Sequence, residues 1–341
     1  MTEYTYQLYS NLLKMGHSVD LVYSMGRSKR NDLFGVAYTN IFFKNKLKKV
    51  ASTGSYDIVH ITNQEAGFAA KVFKQSKGKP KVVTTIHDLM RLEKTGFNKG
   101  ILQKMYDKKV ASYMDDAINY SDFIIFSAST VQKDALQRLR LKQEFATTLL
   151  GPKESFRTLP IPDKPKRDFF NVGYVGAISY RKNVRFIVKT GLLLKDKNDY
   201  KFSIYGSGPD KQSLIEFKEQ NKLDNVSFLG FAPEEKLMEI YDGFDLFFYP
   251  TLEEGSSLPI LDAQARGLPV IIYADTTLDD EVTKYCFKVK DEKEAAQQVI
   301  NLKENGYEKS LKDKATAYAR SFSWGRVANE TYGIYKKLVD R

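Results

Sequence analysis

Cysteine is almost missing from this chain: Cys286 stands alone among 341 residues, so no internal disulfide can form and a reducing compartment suits it. Histidine occurs three times, and three histidines with one cysteine leave little from which to build a zinc site. No run of about eighteen apolar residues occurs, and the N-terminus has no basic segment followed by an apolar one. Neither a membrane span nor a signal peptide is indicated, and a cytoplasmic location is expected. Short-period repeats and low-complexity tracts are lacking as well.

Two domains of ordinary size fit into this length, each with its own core. The net charge of +11 is not spread evenly: residues 1–160 hold 25 Lys and Arg against 14 Asp and Glu, whereas residues 161–341 hold 28 of each. The whole excess belongs to the first part. Such confinement suits an anionic partner, a lipid surface or an acidic acceptor, and equally suits a solvated basic surface. The stretch Phe42-Phe43-Lys44-Asn45-Lys46-Leu47-Lys48-Lys49 fits either an interfacial segment on anionic lipid or a strand end followed by a solvated helix start.

Along residues 1–160 the pattern reads as an amphipathic helix over Glu3–Met15 and strands at Ser18–Tyr23, Val36–Phe43, Asp57–Thr62, Lys81–Ile86, Asp122–Phe126 and Phe145–Leu149,. Gly151–Arg167, which holds Pro152, Pro160, Pro162 and Pro165, reads as a linker,. The pattern then restarts with strands at Asn171–Val175, Lys201–Tyr205, Val226–Phe228 and Asp245–Tyr249, and helices opening at Val184, Lys211 and Glu234. Short buried strands separated by helices argue for parallel sheets covered on both faces. Two such doubly wound domains in series place a cleft between them, with ligands at the carboxyl ends of the strands.

The richest stretch is Tyr249–Ile272, YPTLEEGSSLPILDAQARGLPVII. A helix opening near Leu258–Pro259 would point the backbone N–H groups of Gly255, Ser256, Ser257 and Leu258 at one spot, which favours an anion such as phosphate. Glu254 precedes this loop. Asp262, about one turn into the helix, would face the same cavity and accept hydrogen bonds from hydroxyls of whatever carries the phosphate. Cations come from VGAISYRKN at 175–183, where Arg181 and Lys182 at a turn after a strand can neutralise a diphosphate, or simply face solvent. YGSGP at 205–209, with Gly206 and Gly208, is a glycine-rich turn from strand to helix,. His87 ends the TTIHD strand and can hydrogen-bond a sugar hydroxyl or a phosphate. Asn63, Gln64 and Glu65 after the preceding strand, and Asp88 beside His87, are expected to line the side of the cleft that takes an acceptor.

The 249–272 window resembles the E-x7-E signature, EGFGLPxxEAxxxGxPV, of the GT4-type retaining glycosyltransferases, which have the two-Rossmann GT-B fold. Here it reads E-x7-D. VGAISYRKN is similar to the family's VGxxxPRKN phrase, in which the lysine contacts the donor's diphosphate. Relatives with an arginine directly after the glycine that aligns with Gly176 have Ala177 here, which hands part of that work to Arg181. YGSGP resembles the family's GxGP, and Phe228-Leu229-Gly230-Phe231 resembles the stretch bordering the nucleobase, so that Phe231 either stacks on a base or packs in the core. TIHD is similar to the histidine at the donor sugar, and Phe322-Ser323-Trp324 to the terminal FSW. Matches fall in order at 4–24, 81–88, 172–183, 202–209, 226–231, 245–272 and 322–335.

The resemblance implies an α/β chain of GT-B type: an acceptor-binding Rossmann-like domain at 1–160, a nucleotide-sugar-binding one at 161–320, and a helix at 321–341 that crosses back to the first. It implies sugar transfer with retention, catalysed by His87, Arg181, Lys182 and Glu254, with the donor held by Gly176, Gly206, Gly208, Phe231, the 255–258 loop and Asp262. Neither a metal nor a cofactor is expected, only a nucleotide-diphosphate-sugar as co-substrate. A saccharide, lipid-linked or protein-linked acceptor is expected, with peripheral membrane association through the basic domain and no nucleic acid. One part is missing. The family begins with a strand and a glycine-rich loop, whereas here Met1 falls directly on the following helix, TEYTYQLYSNLLKMGHSVDLV, which reads as a truncated or misassigned start. Two alternatives stay open: a catalytically silent nucleotide-sugar-binding protein, and a GT-B enzyme acting on nucleic acid, for which the basic half is electrostatically suitable. A phosphorylase would need a phosphate or pyridoxal site that the sequence does not offer.

Overall fold

The computed structural model describes residues 3–23, 42–89, 101–164 and 166–341. The chain divides into two units, Met1–Leu150 with Trp324–Arg341, and Gly151–Ser323. Both are built on all-parallel sheets with helices between successive strands, the Rossmann-like α/β class expected.

In the first unit α1 (Glu3–Lys14) buries Tyr4, Leu8 and Leu12, a single stripe produced by a spacing of four residues on a 3.6-residue period. Beyond its end the chain turns at Gly16, where φ is +86°. α2 (Lys44–Thr53) buries only Leu47 and Ala51. Four strands follow, β1 (Ile58–Ile61), β2 (Lys81–Ile86), β3 (Phe123–Phe126) and β4 (Glu144–Thr147), paired in that order. Between them lie α3 (Phe68–Lys74), α4 (Ile101–Tyr120) and α5 (Ser129–Arg138). All four residues of β3 are buried, as a strand covered on both faces requires. A terminal helix, α14 in chain order (Trp324–Val339), belongs to this unit and packs Leu338 against Val83, Phe123 and Ile125. Its Trp324 lies edge-on to Tyr4.

One expected strand is not found, and a second falls mostly outside the described residues. Residues 17–23 form no ladder among the described residues, because no described strand lies at the free edge of β1 for them to extend. That edge instead borders a cavity of about 720 Å³ lined by Leu8, Leu12, Val22, Val50, Val59 and Tyr335. Of Val36–Phe43, residues 36–41 lie outside the described residues, and Phe42–Phe43 lead into α2 instead of ending a strand.

The second unit has six strands in the order β10-β9-β8-β5-β6-β7. Its elements begin with α6 (Glu154–Thr158), then β5 (Phe170–Val175), α7 (Val184–Leu193), β6 (Tyr200–Tyr205), α8 (Lys211–Gln220), β7 (Val226–Gly230), α9 (Leu237–Asp242) and β8 (Leu246–Tyr249). They continue with α10 (Leu258–Ala265), β9 (Val270–Tyr273), α11 (Asp280–Thr283), β10 (Phe287–Val289), α12 (Glu292–Asn305) and α13 (Lys309–Ser321). β5 pairs with both β6 and β8, so the direction of winding reverses between β5 and β8. A doubly wound sheet opens a crevice at such a point, outside the carboxyl ends of the two strands.

Residues 151–164 do not run free as a linker. α6 buries Phe156 against Tyr241, ring centroids 5.1 Å apart. The guanidinium of Arg266, only 1% exposed, pairs with Asp242 at 2.7 Å and donates to the carbonyls of Leu159 and Pro160. An aromatic anchor and a buried cation needing acceptors hold this proline-rich segment to the second unit.

Candidate functional site

Three strand-end loops of the second unit meet at the β5/β8 crevice. After β5 the chain passes Gly176 and makes a 3₁₀ turn at Tyr180–Lys182, closed by Asn183 in the left-handed region at φ 51°. The turn separates the two cations. Lys182 points inward and is 7% exposed, whereas the Arg181 side chain remains 35% exposed.

Lys182 Nζ donates to the phenol oxygen of Tyr249 at 2.5 Å and ion-pairs with Glu254 Oε2. Arg181 Nη1 approaches the same carboxylate oxygen at 3.5 Å and donates to the Glu253 carbonyl at 3.0 Å. The backbone interlocks as well: the Leu252 N–H donates to the Arg181 carbonyl at 2.9 Å, and the Glu254 N–H to Thr277 Oγ1 at 3.0 Å. Glu254 is therefore fixed at both backbone and side chain. Burial, with Arg181 beside it, presses the Lys182 ammonium down to about 7, and the Glu254 carboxylate it touches works against them,. Burial pushes the Tyr249 phenol up to about 12.

α10 opens at Leu258-Pro259, and proline suits a helix's first turn, where an N–H would go unpaired,. Gly255 and Ser257 are buried and Ser256 and Leu258 half-buried, so the amides of this loop lie at the positive end of the helix beside Glu254. Asp262 is 4% exposed, and its Oδ1 accepts the Lys153 backbone N–H at 2.8 Å.

The glycines bring the loops together. A Cβ on Gly206 would stand 1.8 Å from the Gly176 carbonyl oxygen, and one on Gly208 would stand 2.1 Å from the Ile178 carbonyl oxygen. Gly206 N–H donates to the Gly230 carbonyl at 2.6 Å. These close approaches pack the loop after β6 against the loop after β5. Phe231, just past β7, is 80% exposed, so core packing is not its role.

The first unit has its own strand-end cluster. His87 follows β2; its Nε2 lies 3.0 Å from the Thr62 carbonyl and its backbone N–H donates to Gln64 Oε1 at 3.1 Å. Gln64 Nε2 donates to the Asp88 carbonyl at 3.1 Å, and Asn63 Oδ1 caps the short 3₁₀ turn at Glu65 N–H. Burial lowers the His87 imidazole from its usual range, leaving it neutral. With Nε2–H given to Thr62, Nδ1 becomes the accepting nitrogen. A second buried histidine, His60, bridges Tyr335 and Thr85, with the Thr85 hydroxyl 2.7 Å from Nε2. Burial holds His60 near 3.

Sequence reasoning did not single out Tyr249, Thr277 or His60. For Tyr249 a signal existed: it places a polar tip at the end of LFFY, an otherwise apolar buried strand. Thr277 and His60 are linked to their partners only through the tertiary fold.

Two Rossmann-like units, one carrying paired cations and a fixed acid at its switch point, define a two-domain transferase of GT-B type. Two family models match in succession, Glycosyltransferase Family 4 over residues 1–147 and Glycosyl transferases group 1 over residues 156–322, and the chain belongs to these GT4-type glycosyltransferases. It is 24% identical over 270 residues to the O-antigen chain mannosyltransferase B of Escherichia coli, covering 76% of this chain and 71% of that protein. Among further relatives the share of their own length matched falls to between 41% and 66%. The fold is similar to that of sucrose-phosphate synthase from Thermosynechococcus elongatus, with TM-score 0.76 and 18% identity over 98% of this chain and 92% of that one. It is also similar to Anabaena Alr3699/HepE in complex with UDP, with TM-score 0.66 and 15% identity over 88% and 84%. Among the described residues no helix is long and apolar enough to cross a membrane.

Proposed function

We propose that the chain transfers a sugar from a nucleoside diphosphate to a saccharide or lipid-linked acceptor, with retention of configuration and without a metal. In the reaction the bond between the sugar's anomeric carbon and the diphosphate oxygen breaks, the acceptor hydroxyl oxygen forms the new bond to that carbon, and its proton passes to the departing diphosphate. Negative charge grows on the leaving diphosphate and positive charge on the sugar. Arg181, Lys182 and the amides of Gly255, Ser256, Ser257 and Leu258 take up the first in place of a divalent ion. Glu254 faces the second. The observation that carries this reading is the inward Lys182 beside Glu254 and Arg181 at the β5/β8 switch point.

Exposed Phe231 supplies a face for the nucleobase, and Asp262 takes ribose hydroxyls. UDP is the first nucleotide to try, since the Anabaena protein of similar fold was solved with it. His87, Asn63, Gln64 and Asp88 serve the sugar and acceptor. The work takes place in the cytoplasm, with the basic face of α2, where Lys44, Lys46, Lys48 and Lys49 are exposed and Phe42 is 63% exposed, resting on anionic lipid.

A thermal-shift panel of UDP-, GDP- and ADP-sugars tests the reading. A ligand at 100 times its Kd adds about 2.7 kcal/mol of stability. One nucleotide family is expected to raise Tm clearly, and no shift with any of them would contradict the proposal. Among the described residues β1 is the outermost strand of its sheet, which favours a second reading, a protein that binds the donor without turning it over. Calorimetric binding with no product formed would select it.

A further inference from the structure

Lys182 sits between two oxygens of different kinds, and only one of them is compatible with the work assigned to it. An ammonium neutralised by Glu254 has little charge to offer a departing diphosphate, so the ion pair has to loosen when the donor binds. What then keeps a buried lysine charged and aimed is its other partner. We infer that Tyr249 is the positioning residue for Lys182, its phenol oxygen and ring holding the ammonium toward the diphosphate when Glu254 turns to the sugar. This rests on the diphosphate-binding role proposed above.

Four observations place it there. Tyr249 accepts from Lys182 at 2.5 Å, and a neutral acceptor stabilises the ammonium without cancelling its charge. The ammonium also lies 4.9 Å from the centre of the Tyr249 ring, within reach of the attraction between a cation and an aromatic face. The phenol donates its own proton to Glu254 Oε2 at 3.3 Å, so one hydroxyl registers both residues. Finally the ring is held fast: it is 2% exposed and stacks on Tyr174 at 6.0 Å and Phe247 at 5.7 Å. Tyr174 is itself tied to the Ala177 carbonyl at 2.7 Å. If packing alone were needed, phenylalanine would serve, as at Phe247 and Phe248 in the same strand. A buried hydroxyl requires partners, and those of Tyr249 are Lys182 and Glu254. The titratable groups facing Lys182 are Arg181 from its own turn, Glu254 from the β8–α10 loop and Tyr249 from β8, with Tyr174 of β5 stacked on Tyr249.

The test is Tyr249→Phe in the full chain, which keeps the ring and removes the oxygen. Lysine labelled with ¹³C at Cε, with the signal assigned by its loss in Lys182→Arg, reports the titration of Lys182 without any substrate. Removing an acceptor from the ammonium disfavours its charged form, so the midpoint is expected to fall by roughly 0.5–1 pH unit. An unchanged midpoint overturns the inference. With a nucleotide-sugar that the wild type turns over, kcat is expected to fall about tenfold with donor KM nearly constant. The alkaline limb of kcat/KM moves to lower pH. A uniform loss at every pH, with the limb in place, assigns the hydroxyl a packing role and overturns the inference as well. A wild-type chain that binds no nucleotide-sugar removes the function proposed for Lys182, while the titration still decides whether Tyr249 holds it.

Discussion

Asp262 Oδ1 accepts the backbone N–H of Lys153 across 2.8 Å, so the acid proposed for ribose hydroxyls also fastens the 151–164 segment to α10. The carboxylate is 4% exposed, and it replaces the longer glutamate of the resembled signature. A shorter arm fits a helix already clamped to a neighbouring backbone amide.

Asp262→Ala should therefore do two things. Removing the acceptor of the half-buried Lys153 N–H costs about 1 kcal/mol of stability,, which chemical denaturation would register as a lower midpoint at constant slope. Donor KM should rise at the same time. A variant with normal stability and normal donor KM would remove both roles.

Gly206→Ala is expected to destabilise the second unit by on the order of 2–4 kcal/mol, because φ is +149° and the new Cβ would lie 1.8 Å from the Gly176 carbonyl oxygen. Gly333→Ala, in α14, is the contrasting case. No atom lies within 4 Å of the place its methyl group would take, and alanine in an exposed helix gains up to about 1 kcal/mol over glycine. Thermal melts of the two variants should move in opposite directions.

The second unit was largely legible in the sequence because its strands are short, apolar and cleanly punctuated: GxG after β6 and EGSSLP before α10 mark where strands stop and helices start. The switch-point chemistry was half legible. RK at 181–182 shows two cations, but adjacency alone does not say which one turns inward; the 3₁₀ turn and left-handed Asn183 decide that. Thr277 and the Lys153–Asp262 bond were not legible, since each depends on residues brought together by the fold; Tyr249 showed its polar tip at the end of LFFY, but not its partners. The Ser18–Tyr23 strand failed for a different reason. Its alternation is genuine, but a strand exists only with a partner, and the edge of β1 beside it has none among the described residues.

Amide hydrogen exchange tests that last point. Backbone N–H groups of β1 that face the cavity should exchange faster than those of β2 and β3, which are paired on both sides,. Equal protection across Ile58–Ile61 and Phe123–Phe126 would contradict the place of β1 as an edge strand, which it is among the described residues.

Activity should depend on pH through Lys182. A lysine lowered to about 7 is charged below that value and neutral above it, so kcat/KM, which reports the free enzyme, should fall as pH rises through about 7. In the donor complex the anionic diphosphate favours the ammonium, so the corresponding limb of kcat should lie at higher pH. A kcat/KM that stays flat from about pH 6 to about pH 9 would show that the charge of Lys182 is not used.

Calorimetric titration of UDP into the wild-type chain and into Lys182→Met and Arg181→Met, with uridine as the control ligand, tests most directly whether these cations hold the donor's diphosphate. Wild type is expected to bind UDP more tightly than uridine. Each variant should lose roughly tenfold to a hundredfold in UDP affinity, the range of a charged hydrogen bond, while uridine binding stays the same. Equal UDP affinity in all three proteins would contradict the assignment.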